Sequence, residues 1–315
     1  MVTTMEAWES GRGGIDVTAA EVSRQRHIED RSRRQAWAAA EVESILRYGA
    51  FVGSAIECHP VLDRAMERAR MHIAAMEQAG RSVYNGTVIL ADRLHRSKGR
   101  FDRTWHAPAG GLWGCLLHVN TLLPQSRNLI SLAVGVACCE AVREVGIAAE
   151  LRWVNDVLVE GRKVAGFLIE SFFSPRYREE YNLIGFGINV NNRQFPHELL
   201  DTALSLTEVL GRPLDISAFA RLFLAKLSFA LGLLYYEEER GLHDGDGWGE
   251  DGHRLLRCWR ELSTTVGRRV IFGFDVMKVP QYEATVSGIS GSGGLVMVLD
   301  DGCEKTEYSG EIRYI

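Results

Sequence analysis

Residues 151–166 read LRWVNDVLVEGRKVAG, and this stretch decides the interpretation of the fold. Its apolar runs predict three strands, at 150–154, 156–160 and 164–171. The turn Glu160-Gly161-Arg162 joins the second strand to the third as a hairpin. Lys163 follows the turn, where an inward-facing ammonium group needs an anionic partner such as a phosphate. For this stretch alone, the simpler interpretation is a hairpin with an exposed lysine.

On both sides of the hairpin, helical and strand-like patterns alternate. Further strands are predicted at 53–58, 86–91, 111–120 and 183–190, and helices at 18–48, 61–78, 129–145, 205–210, 216–239 and 255–262. From residue 269 onward, short strands are separated by Gly- and Asp-rich turns, which is typical of a small all-β module. The sequence therefore predicts an α+β fold: a mixed β-sheet with packed helices, followed by a small C-terminal β-barrel.

The predicted division of the chain has three parts and one loop. Residues 1–48 are expected to form a flexible lead (1–17) and a helical extension, 49–262 the main domain, and 263–315 the barrel. The acidic, Gly-rich stretch at 243–252 is expected to be a solvated loop.

Composition and charge narrow the class of protein. With 315 residues, of which 46% are hydrophobic, the chain can bury a larger core than one small domain needs. The net charge of −5 opposes binding of a nucleic acid through a dominant basic surface, so no nucleic-acid partner is expected. The charged stretch at 24–35 is interpreted as a solvated helix, because a DNA-reading helix-turn-helix cannot be drawn around it.

The sequence also predicts the cellular compartment of the protein. The first 17 residues are polar and unlike the apolar core of a signal peptide. Apolar runs stay well short of 18 residues, so no membrane span is expected. The six cysteines show no CxxC and no metal-type spacing. We therefore expect reduced thiols in a cytoplasmic protein.

A second segment, SKGRFDRTWHAPAGGLW at 97–113, concentrates cations in a loop. Lys98, Arg100 and Arg103 can bind phosphate or carboxylate oxygens, and Gly99 lets the backbone approach a ligand. Trp105 offers a flat face to an adenine or an apolar tail. A basic turn on the surface is the alternative for this loop. A third segment, GFGINVNN at 185–192, is a weak signal by itself, because a polar loop follows it rather than a helix.

Together, these three segments resemble those of the biotin–protein ligases in their order and in their amino-acid sequence. The family has a GRG-type basic loop ending in Trp, a KWPND stretch leading to a GRKLAG turn, and a GIGINVNN strand. The stretch Ser205-Leu206-Thr207-Glu208 and the ending Tyr308-Ser309-Gly310-Glu311-Ile312 also resemble the family, so the similarity covers about residues 54–315.

The resemblance implies a reaction in two steps. The carboxylate of an acid attacks the α-phosphate of ATP to give an acyl-adenylate, and a lysine of a biotin carboxyl carrier-type protein then attacks it. Lys163 and Arg100 are implied as catalytic cations. Acid binding is implied for Arg64, Ala65, Leu94, Lys98, Gly99, Arg100 and Lys163, and ATP binding for Arg103, Trp105, Asn155, Asp156 and Asn189. ATP, Mg²⁺ and biotin are the implied ligands, no protein residue is assigned to a metal, and the resemblance allows a homodimer.

The chain departs from the family at the positions that recognise the acid. Arg64-Ala65 stands where the family has Ser-Thr, Leu94 replaces a Gln, and Lys98 replaces an Arg. Val154 replaces the Pro of KWPND. Arg64 can either enter the pocket or point into solvent. The departures leave alternatives open: a ligase or acyltransferase for lipoate, octanoate or a biotin precursor, a non-catalytic acid-binding protein, and a DNA-binding repressor.

Overall fold

A computed structural model of the chain describes residues 14–244 and 253–315. Most of the predicted lead, and most of the acidic loop predicted at 243–252, therefore lie outside the described residues. The described helices are α1 (Ala19–Arg33), α2 (Ala39–Tyr48), α3 (Ala65–Gln78), α4 (Pro124–Arg127), α5 (Leu129–Glu144), α6 (Leu206–Leu210), α7 (Ile216–Asp244) and α8 (Arg254–Leu262). The described strands are β1 (Ala55–Leu62), β2 (Thr87–Leu94), β3 (Leu112–Val119), β4 (Ala149–Arg152), β5 (Asp156–Val159), β6 (Arg162–Phe173), β7 (Glu180–Ile188), β8 (Arg269–Asp275), β9 (Val279–Ile289), β10 (Leu295–Val298), β11 (Glu304–Glu307) and β12 (Glu311–Tyr314).

The first seven of these strands form one mixed sheet in the order β1-β2-β3-β7-β6-β5-β4. β1 and β2 are parallel, and the other neighbours are antiparallel. Side chains alternate between the two faces of each strand. Val88 and Leu90 therefore join a core formed with α5 and α7, whereas Ile89 packs with α3 on the opposite face. The predicted mixed sheet with packed helices is confirmed.

Strands β8–β12 form an antiparallel sheet in the order β11-β10-β9-β8-β12. Val270, Phe272 and Ile312 on its inner side belong to the same apolar core as α5 and α7. The predicted α+β class, with a separate β module at the C-terminus, is confirmed. The domain boundaries stay a prediction, because one core runs through the helical extension, the mixed sheet and the β module.

The hairpin predicted around Gly161 is confirmed, since β5 and β6 pair in antiparallel fashion on either side of it. Glu160 and Gly161 have φ angles of 51° and 74°, which a tight two-residue turn requires and which glycine adopts without a steric penalty. This turn fixes where β6 begins, and therefore where Lys163 lies.

A β-bulge follows the turn. Val157 and Leu158 of β5 are consecutive, but their partners in β6 are Ala165 and Lys163, so β6 carries one extra residue. The extra residue brings Lys163 to the same face as Gly166. A Cβ on Gly166 would lie only 2.9 Å from Lys163 Nζ.

The N-terminal segment differs from its prediction. The single helix predicted at 18–48 is divided into α1 and α2 by a break at 34–38. Ile15 and Val17 are buried, and the Ile15 N–H donates to Asp92 Oδ1 at 2.7 Å, so residues 14–17 are not a flexible lead. Glu29 is buried in ion pairs, so α1 is not simply a solvated helix. The flexible lead is a wrong prediction for residues 14–17, and the solvated helix is a wrong prediction at Glu29, because Asp92 and Lys226, which bind these residues, lie far away in the sequence.

Helix α7 is long and apolar enough to cross a membrane, with a mean hydropathy of 1.6 over its most apolar window. In the folded chain, 78% of that window is buried, and α7 packs against α1, α2 and α5. Its apolar residues are therefore accounted for by the protein core.

Candidate active site

A cavity of about 240 Å³ lies between the N-terminus of α3, strands β6 and β7, and residues 97–105, hereafter the basic loop. Most of the predicted site residues line it: Arg64, Ala65, Leu94, Lys98, Gly99, Arg100, Arg103, Trp105, Asn155, Asp156 and Lys163. Asn189 is not among them, because its side chain is buried and accepts a hydrogen bond from Asn192 Nδ2 at 3.1 Å. The structure thus brings together residues from separate segments, while their individual roles stay predictions.

Lys163 is held by an ion pair at the wall of this cavity. Its Nζ lies 2.5 Å from Asp156 Oδ1, and Asp156 Oδ2 accepts from Arg152 at 2.7 Å. Burial by itself would raise the pKa of Asp156, but Lys163 and Arg152 hold that pKa below its usual value. The carboxylate therefore stays ionised and fixes the ammonium group. The backbone N–H of Lys163 also donates to the carbonyl oxygen of Thr202 at 2.7 Å, which fixes the backbone at the start of β6.

Two glycines make room for Trp105 beside Lys163. Gly166 of β6 and Gly187 of β7 are cross-strand partners. A Cβ on Gly187 would lie 2.7 Å from Trp105 Nε1, and one on Gly166 would lie 3.1 Å from the same indole. The ring centroid is 5.2 Å from Lys163 Nζ, within the range of a cation–π contact. The glycines therefore allow an aromatic face to line the wall next to the lysine.

Arg100 supplies a second cation. It donates to Asn155 Oδ1 at 3.2 Å, and the Asn155 amide donates in turn to Phe167 O at 2.5 Å. Burial lowers the pKa of Arg100, although a guanidinium remains charged in proteins. A largely desolvated cation with a neutral amide partner is well suited to receive an anionic ligand.

Arg103 connects the basic loop to the C-terminal β module. It donates to both carboxylate oxygens of Glu311, and it lies 3.0 Å from Asp275 Oδ1. Phe101 and Phe274 meet edge to face, with ring centroids 6.2 Å apart. Glu311 itself lines the cavity, so the β module forms part of the site.

Arg64 enters the cavity wall rather than pointing into solvent. Its side chain is 24% exposed, and its Nη2 lies 4.0 Å from Glu170 Oε1. Ala65 and Leu94 also line the wall but offer no polar side-chain atom. Of the two interpretations of Arg64, the structure supports the inward one.

Several lining residues were not predicted from the sequence: Met66, Phe167, Leu168, Gly185, Phe186, Leu199 and Glu311. The spacing of Gly185 and Gly187 did contain a signal, because residues two apart face the same side of a strand. The sequence around Leu199 and around Glu311 did not indicate a binding site, because each residue comes close to the cavity only when distant segments of the chain fold together.

Three comparisons relate the chain to known proteins. The sequence model of the biotin/lipoate A/B protein ligase family matches residues 67–189. The bifunctional ligase/repressor BirA of Bacillus subtilis is 32% identical over 180 residues, which are 55% of this chain and 53% of that protein. The BirA of Escherichia coli is 24% identical over 266 residues, which are 84% of this chain and 75% of that protein. The chain thus spans only about half the length of the Bacillus subtilis protein.

The fold of the chain is also similar to that of a solved structure. The biotin protein ligase from Aquifex aeolicus, solved in complex with biotin and ATP, matches with a TM-score of 0.63 and 25% identity. The match covers 82% of this chain and 98% of that protein. The resemblance expected from the three sequence segments is therefore confirmed, and residues 67–189 match the model of the biotin/lipoate A/B protein ligase family.

Proposed function

We propose that this protein is an ATP-dependent ligase that activates biotin as biotinyl-AMP and transfers the biotinyl group to a lysine of a carrier protein. The observation that carries the proposal is the Lys163–Asp156 ion pair, which faces a cavity also lined by Arg100. The ligase names of the Bacillus subtilis and Escherichia coli relatives support it, as does the Aquifex aeolicus structure with biotin and ATP.

In the first step, a carboxylate oxygen of biotin attacks the α-phosphorus of ATP. A new phosphorus–oxygen bond forms, the bond to the β-phosphate breaks, and pyrophosphate leaves with the electron pair. Negative charge accumulates around the α-phosphate as the two anions approach. Lys163 and Arg100 stabilise that charge, because both cations are held in place before the substrates arrive.

In the second step, the neutral amine of the carrier lysine attacks the acyl carbon of the mixed anhydride. An amide bond forms, the bond between the acyl carbon and the phosphate oxygen breaks, AMP leaves with the electron pair, and the amine loses its proton to solvent. The basic loop and Trp105 line the cavity. Their contacts with the bound adenylate would exclude water, which would otherwise hydrolyse it.

Mg²⁺ is expected to enter with ATP rather than to occupy a site made by the protein. Among the described residues, no cluster of three or more His, Cys, Asp or Glu side chains could hold a metal. The two acids that line the cavity are engaged with cations, Asp156 with Lys163 and Glu311 with Arg103. When bound, Mg²⁺ would supply neutralisation of the phosphate oxygens.

A second candidate is the same chemistry on another acid. Ala65 and Leu94 favour it, because they place apolar groups on the wall that contacts the acid. Lipoate, octanoate and a biotin precursor are the acids to compare.

The experiment is exchange of labelled pyrophosphate into ATP, with each of these acids and with biotin in separate reactions. We expect exchange that depends on biotin, followed by a gain in the mass of a biotin carboxyl carrier domain equal to one biotinyl group. Exchange with another acid alone would establish the second candidate. Binding of biotin without any exchange would identify a non-catalytic acid-binding protein and refute the ligase assignment.

A further inference from the structure

Arg152 binds the carboxylate that holds Lys163, but it is not among the residues that line the cavity, and the reaction above does not use it. We propose that Arg152 is a positioning residue for adenylate formation: it holds Asp156, and through Asp156 it holds the Lys163 ammonium group in place for the α-phosphate. This inference rests on the proposed ligase function and adds to it a residue that acts from outside the cavity.

Strand pairing places Arg152 opposite Asp156. Arg152 is the last residue of β4, Asp156 is the first residue of β5, and the two are antiparallel partners. Residues directly opposite each other in such a pair have Cβ atoms about 4.5–5.5 Å apart, which lets opposite charges meet. Arg152 Nη2 accordingly donates to Asp156 Oδ2 at 2.7 Å. The position of this ion pair is therefore set by the sheet.

The two oxygens of Asp156 serve two different cations. Oδ2 accepts from Arg152, and Oδ1 lies 2.5 Å from Lys163 Nζ. The last torsion of an aspartate side chain has broad minima, so a contact at one oxygen leaves the carboxylate free to turn, whereas contacts at both oxygens fix its plane. The Asp156 side chain is only 13% exposed, so water has little access to take the place of Arg152. Arg152 therefore orients the group that orients Lys163.

Arg152 also helps to keep Asp156 ionised. Burial raises the pKa of Asp156, but Lys163 and Arg152 lower it further than burial raises it. Arg100, on the basic loop, is a third cation that acts on this carboxylate. Without Arg152, the pKa of Asp156 should rise, so that the carboxylate takes up a proton at a higher pH. The remaining pair of Asp156 and Lys163 would also carry no net charge, which leaves less positive charge for the α-phosphate.

The test measures pyrophosphate exchange with biotin in Arg152→Ala. We expect kcat to fall roughly 10-fold, which is within the usual range of coupling between residues of one hydrogen-bonded network. KM for biotin and for ATP should stay near their wild-type values, since Arg152 does not line the cavity. As the pH is lowered, activity should be lost at a higher pH than in the wild type, because Asp156 is protonated more readily. Arg152→Lys, which keeps a cation, should restore most of the activity.

A double mutant distinguishes a positioning role from a merely structural one. If Arg152 acts through Lys163, adding Arg152→Ala to Lys163→Ala should change the exchange rate little. Arg162→Ala is the matched control, because Arg162 lies 3.9 Å from Glu160 across the neighbouring hairpin and is not among the residues that line the cavity. We expect exchange at the wild-type rate from this control.

A wild-type kcat and pH profile in Arg152→Ala would overturn the proposal, as would an equal fractional loss with and without Lys163. If Arg152→Ala does not fold, Arg152→Gln keeps an N–H donor without the charge, and an unchanged pH profile in this variant would equally refute the role of Arg152.

Titration of the Asp156 carboxyl group, followed by ¹³C NMR without substrates, separates this inference from the ligase assignment. Failure of the wild type to exchange pyrophosphate with any acid would refute the ligase assignment. An Asp156 pKa that is equal in the wild type and in Arg152→Ala would instead overturn the role of Arg152.

Discussion

Lys163 and Lys226 are both paired with carboxylates, but their surroundings differ. Lys226 on α7 lies 2.8 Å from Glu29 and 2.6 Å from Glu144, and its side chain is 7% exposed. Lys163 on β6 lies 2.5 Å from Asp156, and its side chain is 28% exposed on the wall of the cavity. Both ammonium groups are therefore fixed by an ion pair, yet only one of them faces a space that a ligand can enter.

The balance of charge around each lysine explains the difference. Lys226 is shared by Glu29 and Glu144, and Arg33 pairs with Glu29 and Glu140, so three carboxylates surround these two cations and no positive charge is in excess. Near Lys163, Asp156 alone serves both Lys163 and Arg152. The excess cation at this second site calls for an anion from outside the protein. Charge balance, more than burial, thus distinguishes a lysine that stabilises the fold from one that binds a ligand.

Lys226→Ala tests the structural half of this comparison. Removing the cation leaves Glu29 buried with only Arg33, which should lower the free energy of unfolding by about 3 kcal/mol. Urea denaturation measures this change. Pyrophosphate exchange by the folded variant should stay at the wild-type rate.

Glu144→Gln is the control for this variant. The Glu144 side chain is 43% exposed, so loss of its pair should cost no more than about 1 kcal/mol. Equal destabilisation by the two variants would contradict the view that Glu29 is the buried partner that needs Lys226.

Lys163→Ala tests the catalytic half of this comparison, and we expect it to reduce activity rather than stability. We expect the rate of pyrophosphate exchange to fall roughly 10²–10³-fold, because a preorganised cation is lost from the developing charge on the phosphate. The unfolding free energy should change far less than in Lys226→Ala, since Lys163 is 28% exposed and Asp156 keeps its ion pair with Arg152. Exchange at the wild-type rate would remove Lys163 from the mechanism, and strong destabilisation would show that the two lysines do not differ in role.

Arg103→Ala is expected to have the smallest effect. The Arg103 side chain is 41% exposed, so its pairs with Glu311 and Asp275 should contribute about 1 kcal/mol or less. Hydrogen exchange in the basic loop should become faster, with a modest rise in KM for ATP. Arg269→Ala is the matched control: it breaks a comparably exposed pair with Glu283 and Asp300 inside the β module. Loop exchange that is equally slow in both variants would refute a connection through Arg103.

Features that depend on neighbouring residues could be predicted from the sequence. The turn at Gly161 and the capping of α1 by Thr18 were predictable, because each depends on residues within a few positions. The apolar runs that alternate along the chain with helical patterns predicted the strands of the mixed sheet. Lys163 and Arg100 were found in the same way, from short ordered segments around them.

Contacts between distant segments could not be predicted from the sequence and are seen in the folded chain. The bulge that turns Lys163 toward Gly166 depends on the pairing of two whole strands and not on any one residue. Arg103 and Glu311 are 208 residues apart, yet together they join the basic loop to the β module. Local preferences act over a few residues, whereas the position of a side chain in a cavity depends on how complete elements pack. The proposed catalytic cations could therefore be recognised from local sequence, whereas the partners that surround them depend on the fold.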